Sequence, residues 1–425
     1  MTIDALPEDV IMRIFDFHVN DVPIYDRNDQ HRMAKWRTLV HVCQRWRCLT
    51  FGSPRRLGLA LEYTGKKPME ETMAVWPALP IAVIPPELVG TRATNIAEAL
   101  DSNRERVSEI RLVDVPRSHW DRFVAVMESP FPRLTHLQFC DNRNSLSLSP
   151  VSPHFLGGSG PNLQRLELKN IAYPFSTIQK LLLTANNLVS LTLWHTPHAG
   201  YVSPESMVTC LSGMPRLDNL CLRFRPFGPY PSRPSPPPTR IIIPALTKIS
   251  FKGPYEYLED LVARIDIPRL RSLNINFFMD LMFDIPQLHH FISHTQQLRN
   301  LDHAELLFSD RSVSLQLIRR IPPSLSVVEL ALTISCRQSD WQLSSLARVC
   351  LSRLPPFSTL EHLMIVPDQS APPQWKDDME SIQWLELLDP FPALKTLYLP
   401  EDVALRVGNA CRTSLRKDQW KRCLH

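Results

Sequence analysis

Two groups of residues come nearest to a reaction centre by type and spacing: the histidines His289, His290 and His294, and the run Gly157-Gly158-Ser159-Gly160. His290 and His294 stand one helical turn apart, the spacing at which a helix can offer two imidazoles to zinc. A zinc hydrolase also needs a Glu beside the first His, where this chain has Phe291, and no third ligand follows at a suitable spacing. A packed or solvated helix face is the plain reading. The glycine run has neither the Lys of a phosphate loop nor the Gly-x-Ser-x-Gly of a nucleophile elbow. It precedes a strand-like pattern instead of opening a helix, so it reads as a turn. Nine cysteines, an odd number with no Cys-x-x-Cys pair, argue against a disulfide framework and a structural zinc site. They read as reduced, intracellular thiols. Ser149-Pro150 and Ser152-Pro153 lie in a polar loop, where ordinary loop residues and modifiable serines look alike. No catalytic residue, metal or cofactor is expected, and the chain reads as a non-enzymatic binding protein.

The elements that carry the binding residues must fill 425 residues, more than one hydrophobic core usually serves, so two parts or a repeat array are expected. Apolar residues at 44% and charged residues at 21% are the proportions of an ordinary folded protein. A net charge of +4 gives no general field for nucleic acid or membrane. The most apolar stretch, residues 74–89, is broken by Pro77, Pro80, Pro85 and Pro86 and cannot form a membrane-spanning helix of about 20 residues. No cationic segment followed by an apolar run opens the chain, so no secretory signal is expected.

The N-terminal stretch is the most informative. Pro7 suits a first helical position, and Glu8 and Asp9 complement the positive end of the helix. Val10, Ile11, Ile14 and Phe15 form one apolar stripe, and a second runs through Trp36, Leu39, Val40, Cys43 and Trp46. Residues 19–31, polar and Asp-rich, read as a surface loop between them. Two or three short helices cannot bury this much apolar surface among themselves, so part of it is expected to be an interface. The Leu6-Pro7 start, the apolar helix and the closing Val42-Cys43-Gln44-Arg45-Trp46 resemble an F-box, in the variant expanded in mushroom-forming (basidiomycete) fungi, where Ser53-Pro54-Arg55-Arg56-Leu57 also fits. The long polar insert departs from the tight turn usual in that module. The resemblance implies docking on a Skp-family adaptor, and through it a cullin, by Leu6, Pro7, Ile11, Ile14, Phe15, Val42 and Trp46. The plain alternative is a helical cap over the end of a larger domain.

From residue 107 onward an apolar-x-x-apolar-x-apolar pattern keeps returning. Its copies begin at Val107, Leu134, Leu163, Leu188, Leu217, Leu246, Leu270, Leu325, Leu360 and Leu394, most of them 24 to 35 residues apart. Helical stretches, such as residues 175–184 and 257–265, lie between. A strand plus a helical return at this period resembles a leucine-rich-repeat solenoid, whose units stack because none can bury its own apolar face. Proline stands shortly before the first apolar residue of many copies, as at Pro132, Pro161, Pro215, Pro244, Pro268, Pro323 and Pro392, where a missing N–H costs the ladder nothing. Asn142 is the clearest candidate for the asparagine that usually follows such a strand. Residues 226–238 hold seven prolines in thirteen positions and read as an inserted loop, with Pro-x-x-Pro spacing that could also dock an SH3-type groove.

The expected fold is therefore α/β: a three-helix F-box over residues 1–54, an irregular joining segment over 55–106 with strands at 57–61 and 79–84, and an irregular leucine-rich-repeat solenoid of parallel strands with helical returns over 107–425, ending in a basic tail. Strand alternation exposes one side chain in two. It places Arg165, Lys169, Trp194, Arg223, Lys248 and Lys252 outside, with Glu109, Cys140 and Cys221 also outward. Basic groups beside an aromatic ring suit an acidic or phosphorylated target protein, although charge on an exposed sheet face is also ordinary. The two resemblances together imply a cytoplasmic or nuclear substrate-recognition subunit of an SCF-type cullin–RING ubiquitin ligase, with no nucleic-acid or membrane partner. A repeat scaffold acting without a ligase is the rival.

Overall fold

A computed structural model describes residues 6–20, 29–53, 57–74, 78–143, 150–196, 202–225, 240–278, 285–298, 301–321, 325–336, 340–351, 357, 359–373, 375, 381–401, 403–405 and 407, with backbone only at 20, 29–34, 195–196, 320–321, 325–326, 340, 351 and 381–382. The Pro-rich stretch 226–238, Ser149 and the basic tail lie outside the described residues. The chain divides into two compact units, Met1–Ala185 and Asn186–His425. Both are mixed α/β, built on parallel strands with helical connections.

The first unit opens with three helices, α1 (Glu8–Asn20), α2 (Asp29–Val40) and α3 (Gln44–Gly52). Ile11, Phe15 and Val19 recur every fourth residue of α1 and are all buried, so the helix continues through the residues expected to start a loop. That expected loop, 19–31, is thus helical at both its ends, because Val19 extends the apolar stripe and Asp29–His31 begin α2. Trp36, Leu39 and Val40 bury the inner face of α2. The second predicted stripe is split between two helices: His41 and Val42 form a turn, and Cys43 becomes the N-cap of α3, its Sγ accepting from the Trp46 N–H. Phe15 and Trp46 meet edge-on at 4.8 Å, and the Arg45 guanidinium donates to the Leu6 carbonyl at 2.8 Å, fastening the chain start to α3.

Five parallel strands follow, β1 (Leu61–Tyr63), β2 (Ile81–Val83), β3 (Val107–Val113), β4 (His136–Cys140) and β5 (Arg165–Lys169), each paired with the next. Helices α4 (Met69–Met73), α5 (Thr91–Ser102) and α6 (Arg117–Val126) lie between them, and α7 (Phe175–Thr184) closes the unit. The sheet thus begins well before residue 107. Leu57 and Leu59 are buried but precede the strand, which starts only at Leu61. Along the strands the pattern residues stack in register, Ile110 on Leu137 on Leu166 and Leu112 on Phe139 on Leu168, all at most 1% exposed. Asn170 follows β5 with φ +56° and donates from Nδ2 to the Asp141 carbonyl at 2.7 Å. It does there what Asn142 was expected to do after β4. The glycine run is a turn, stitched to the end of α6 by Leu156 and Gly157 N–H donors to the Met127 and Glu128 carbonyls at 2.6 and 3.0 Å.

The second unit contains β6 (Ser190–Thr196), α8 (Pro204–Ser212), β7 (Asn219–Phe224), β8 (Ile241–Ile242), β9 (Lys248–Gly253), α9 (Tyr255–Arg264), β10 (Ile265–Asp266), β11 (Ser272–Phe277) and α10 (Pro286–His294). Then come β12 (His303–Phe308), β13 (Ser312–Ile321), β14 (Leu325–Ser335), α11 (Asp340–Leu351), β15 (His362–Pro367), α12 (Ser381–Leu388) and β16 (Thr396–Tyr398). Its main sheet runs β6-β7-β9-β11-β14-β13-β12-β15-β16, and β8 pairs β10 apart from it. All neighbours are parallel except β13, which is antiparallel to both β12 and β14. Residues 309–311 are too few for a parallel crossover, which needs a dozen or more, so the chain reverses in a hairpin closed by the Ser309 N–H donating to the Ser312 carbonyl at 2.9 Å. The copy expected at Leu325 is out of register: Val328 is exposed, and Leu330, Leu332 and Ile334 are the residues that stack on Leu273, Ile275 and Phe277. A coil that the pattern did not announce begins at Leu301, whose Ala304, Leu306 and Phe308 are buried. Alanine in the middle position conceals it.

Buried Glu259 on α9 ties two helices together: its carboxylate accepts the Gln287 and Leu288 N–H groups at 3.0 and 2.7 Å, at the positive start of α10. Glu259→Ala leaves those donors without a partner and should cost about 1–3 kcal/mol. Urea denaturation of the full chain checks this through a lowered midpoint.

Candidate functional site

The described residues offer surfaces and a pocket, and the N-terminal helices supply the first surface. The seven residues expected to face an adaptor separate into two sets. Ile11, Phe15 and Trp46 are buried and belong to the module's own core, which corrects their assignment to a surface: the Phe15–Trp46 contact uses them internally. Pro7, Ile14 and Val42 are exposed and Leu6 is partly so. Phe17, at 73% exposure, is the largest apolar side chain left outside and escaped the pattern because it lies off the stripe through Ile11 and Phe15. Ile14 and Phe17 are three residues apart and therefore neighbours on the helix surface.

On the first unit's sheet the outward row of β3 to β5 is knitted together. Arg111 pairs with Glu109 at 2.5 Å, Lys169 pairs with Glu167, and Gln138 Nε2 donates to Glu167 at 3.2 Å. Arg165 is exposed at the start of β5. Glu109 and Cys140, expected outside, are 8% and 2% exposed, because longer neighbours fold over them. Burial first, and the nearby Glu167 carboxylate second, push the Cys140 thiol up to about 12.

In the second unit the Arg223 guanidinium lies 3.9 Å from the centre of the Trp194 ring, and the Trp194 indole donates to Cys221 Sγ at 2.9 Å. Cys221 is 7% exposed beneath them, which is why alternation alone misplaced it. Lys248 and Lys252 follow on β9, and Lys252 pairs in register with Arg223. Trp194, Arg223 and Lys252 thus form one row in register, whereas Lys248 stands at the other end of β9 opposite Asn219, and Arg165 and Lys169 belong to the other unit.

His290 and His294 stack at 3.9 Å, while Arg240 reaches His290 Nδ1 at 3.1 Å. Burial, followed by His294, Arg240 and His289, lowers the His290 pKa. Among the described residues no three His, Cys, Asp or Glu side chains gather closely enough to share a metal ion. No helix among them is long and apolar enough to cross a membrane.

A pocket of about 290 Å³ opens in the second unit, lined by His303, Ala304, Glu305, Ile318, His362, Leu363, Met364 and Tyr398. Half its lining comes from the unannounced coil and from the hairpin, so the repeat pattern points only to the other half, which includes Met364 and Tyr398 of the apolar-rich later coils. No protein-family model matches the chain, and no curated protein matches it either.

Thiol reactivity follows from this burial. Cys48 is exposed, whereas Cys140 and Cys210 are buried, with burial pushing the Cys210 thiol up to about 11. Iodoacetamide at pH 8 should label Cys48 in the native chain and reach Cys140 and Cys210 only after denaturation, as peptide mass mapping will register. Glu167→Gln should raise the Cys140 rate only slightly, because burial is the larger cause.

Proposed function

We propose that the chain is a substrate receptor of an SCF-type ubiquitin ligase, with its N-terminal helices docking on a Skp-family adaptor and its strands holding a target protein. One observation carries this reading. Ile14, Phe17 and Val42 are 39%, 73% and 57% exposed in a module that packs Ile11, Phe15, Trp36, Leu39 and Trp46 inside. Apolar side chains that the chain itself does not cover are the material of an interface core. The Leu6-Pro7 start lies at the entrance of the same helix and is held by Arg45. Catalysis in this reading is proximity: tethering a target near the charged conjugating enzyme raises its effective concentration, and no acid, base or nucleophile is required of this chain.

The target side of the proposal rests on Trp194, Arg223, Lys248 and Lys252 of the second unit; Arg165 and Lys169 are basic residues of the first unit. A guanidinium already stacked on an indole holds its donors in place for a carboxylate or phosphate, so little side-chain entropy is lost on binding.

Ile14→Ser with Phe17→Ser removes exposed groups and should abolish copurification with the adaptor while leaving the unfolding midpoint within about 0.5 kcal/mol of wild type. Leu6→Ala with Pro7→Ala should weaken it in the same assay. Full adaptor binding by both folded variants would reject the docking reading and leave a scaffold that works without a ligase.

Replacing Arg165, Lys169, Arg223, Lys248 and Lys252 by Ser should leave adaptor binding intact and abolish target capture in proximity labelling. Capture by the wild type should also weaken with salt, since exposed charges are screened beyond about 8–10 Å at physiological ionic strength. Capture unaffected by either change would place the target elsewhere.

A further inference from the structure

The pocket in the second unit lies where the parallel array is broken. Antiparallel β13 stands between β12 and β14, and its register with β14 shifts between Leu317 and Ile318. The extra residue of that shift is Glu329 on β14, because Leu317 pairs with Leu330 and Ile318 with Val328, whereas β13 itself alternates regularly. Val313, Leu315 and Leu317 face inward, so Ile318 faces outward beside its register partner His303, where it becomes a wall of the pocket and is only 7% exposed.

The lining has a distinct chemistry. His303 and His362, register partners on β12 and β15, stack at 4.5 Å with 27° between their planes. His303 Nδ1 lies 2.9 Å from Asp302, and although burial pushes the Asp302 carboxyl up, this imidazole brings it below its ordinary value overall. Ile318, Leu363 and Met364 supply aliphatic surface, and Tyr398, 46% exposed, presents its ring at the mouth. Glu305 contributes a carboxylate that makes no ion pair or hydrogen bond with any described residue. Among the described residues, Arg319 pairs with Glu329 at 2.7 Å and Lys395 with Glu361 at 2.6 Å.

We propose that this pocket binds an arginine side chain of a partner polypeptide, its guanidinium paired with Glu305 and stacked on the imidazole and phenol rings, its methylenes against Ile318 and Met364. A planar cation with an apolar stem satisfies all three features at once: the unpaired carboxylate, the flat rings and the aliphatic wall. A lysine ammonium would leave the rings unused. The volume is at the low end for small-molecule sites and suits a single side chain with its backbone outside. Free arginine is the poorer occupant, because the lining offers no partner pair for its α-ammonium and α-carboxylate. The inference rests on the pocket and stands independently of adaptor docking.

The test uses the full chain carrying ¹³C-methyl methionine, with the Met364 methyl assigned by Met364→Leu. The probes are arginine with both termini blocked (N-acetyl, N-methylamide), blocked citrulline, which is neutral and nearly isosteric, and free L-arginine. Blocked arginine should shift the Met364 methyl saturably, with a Kd on the order of 1 mM as expected of a fragment. Citrulline should bind about tenfold more weakly, the loss of one charge-assisted pair, and free arginine more weakly than the blocked form. Glu305→Gln, with an unchanged free-state methionine spectrum, should erase the preference for arginine over citrulline, and Tyr398→Ala should weaken both. A Met364 methyl that no probe moves, equal binding of arginine and citrulline, or a preference that survives Glu305→Gln would each overturn the proposal. Free arginine binding as tightly as the blocked form would also overturn it, in favour of a metabolite site.

Discussion

No coil of this chain can bury its own apolar face, and the structure follows from that. A strand and the turn leading into it, carrying three buried residues such as Leu163, Leu166 and Leu168, have nothing within their own coil to cover both sides of them. The coils on either side must supply that cover. The backbone fixes their alignment. In both units two successive N–H groups entering a strand donate to one carbonyl of the preceding coil: Gln164 and Arg165 to Thr135, Thr247 and Lys248 to Asp218, Arg271 and Ser272 to Thr247, Lys395 and Thr396 to Glu361. These paired bonds set the register, and the register stacks leucine on leucine.

Once the inner row is fixed, the outer row is fixed with it. Pleating turns the residues between the leucines outward, so Trp194, Arg223 and Lys252 meet because the strands beneath them are aligned. The same constraint makes a departure from it informative. Where β13 enters antiparallel, the inner row is kept by Val313, Leu315 and Leu317, all buried, and the one extra residue, Glu329, falls on β14. The outer-row side chains on which the proposed binding rests therefore sit on backbone anchored by the core, the arrangement under which a binding group loses little entropy on engagement.

The N-terminal helices follow a different rule. They are too short to form a large core, and they spend Ile11, Phe15, Trp36 and Trp46 on the one they have. The remaining apolar residues stay outside. Residues of one sequence motif therefore divide between holding the module together and facing away from it, and only packing sorts them.

The sequence by itself determined most of the inner row, from leucines at a fixed spacing, and with it the parallel α/β character and helices such as Phe175–Thr184, whose Ile178, Leu181 and Leu182 are buried at helical spacing. It also announced the outward basic residues, because alternation along a strand is strict. Tertiary structure decided the rest. Alternation could not show that Cys140 and Cys221 would be covered by longer neighbours, nor that Ile11 and Phe15 would be taken by the module's interior while Phe17 was left out. It could not reveal the coil at Leu301, where Ala304 replaces the expected large residue, nor the hairpin that sets Val328 outside and Leu330 inside. The reason is the same in each case. A one-dimensional pattern records which residues can be buried, whereas which are buried depends on what the neighbouring coil brings against them.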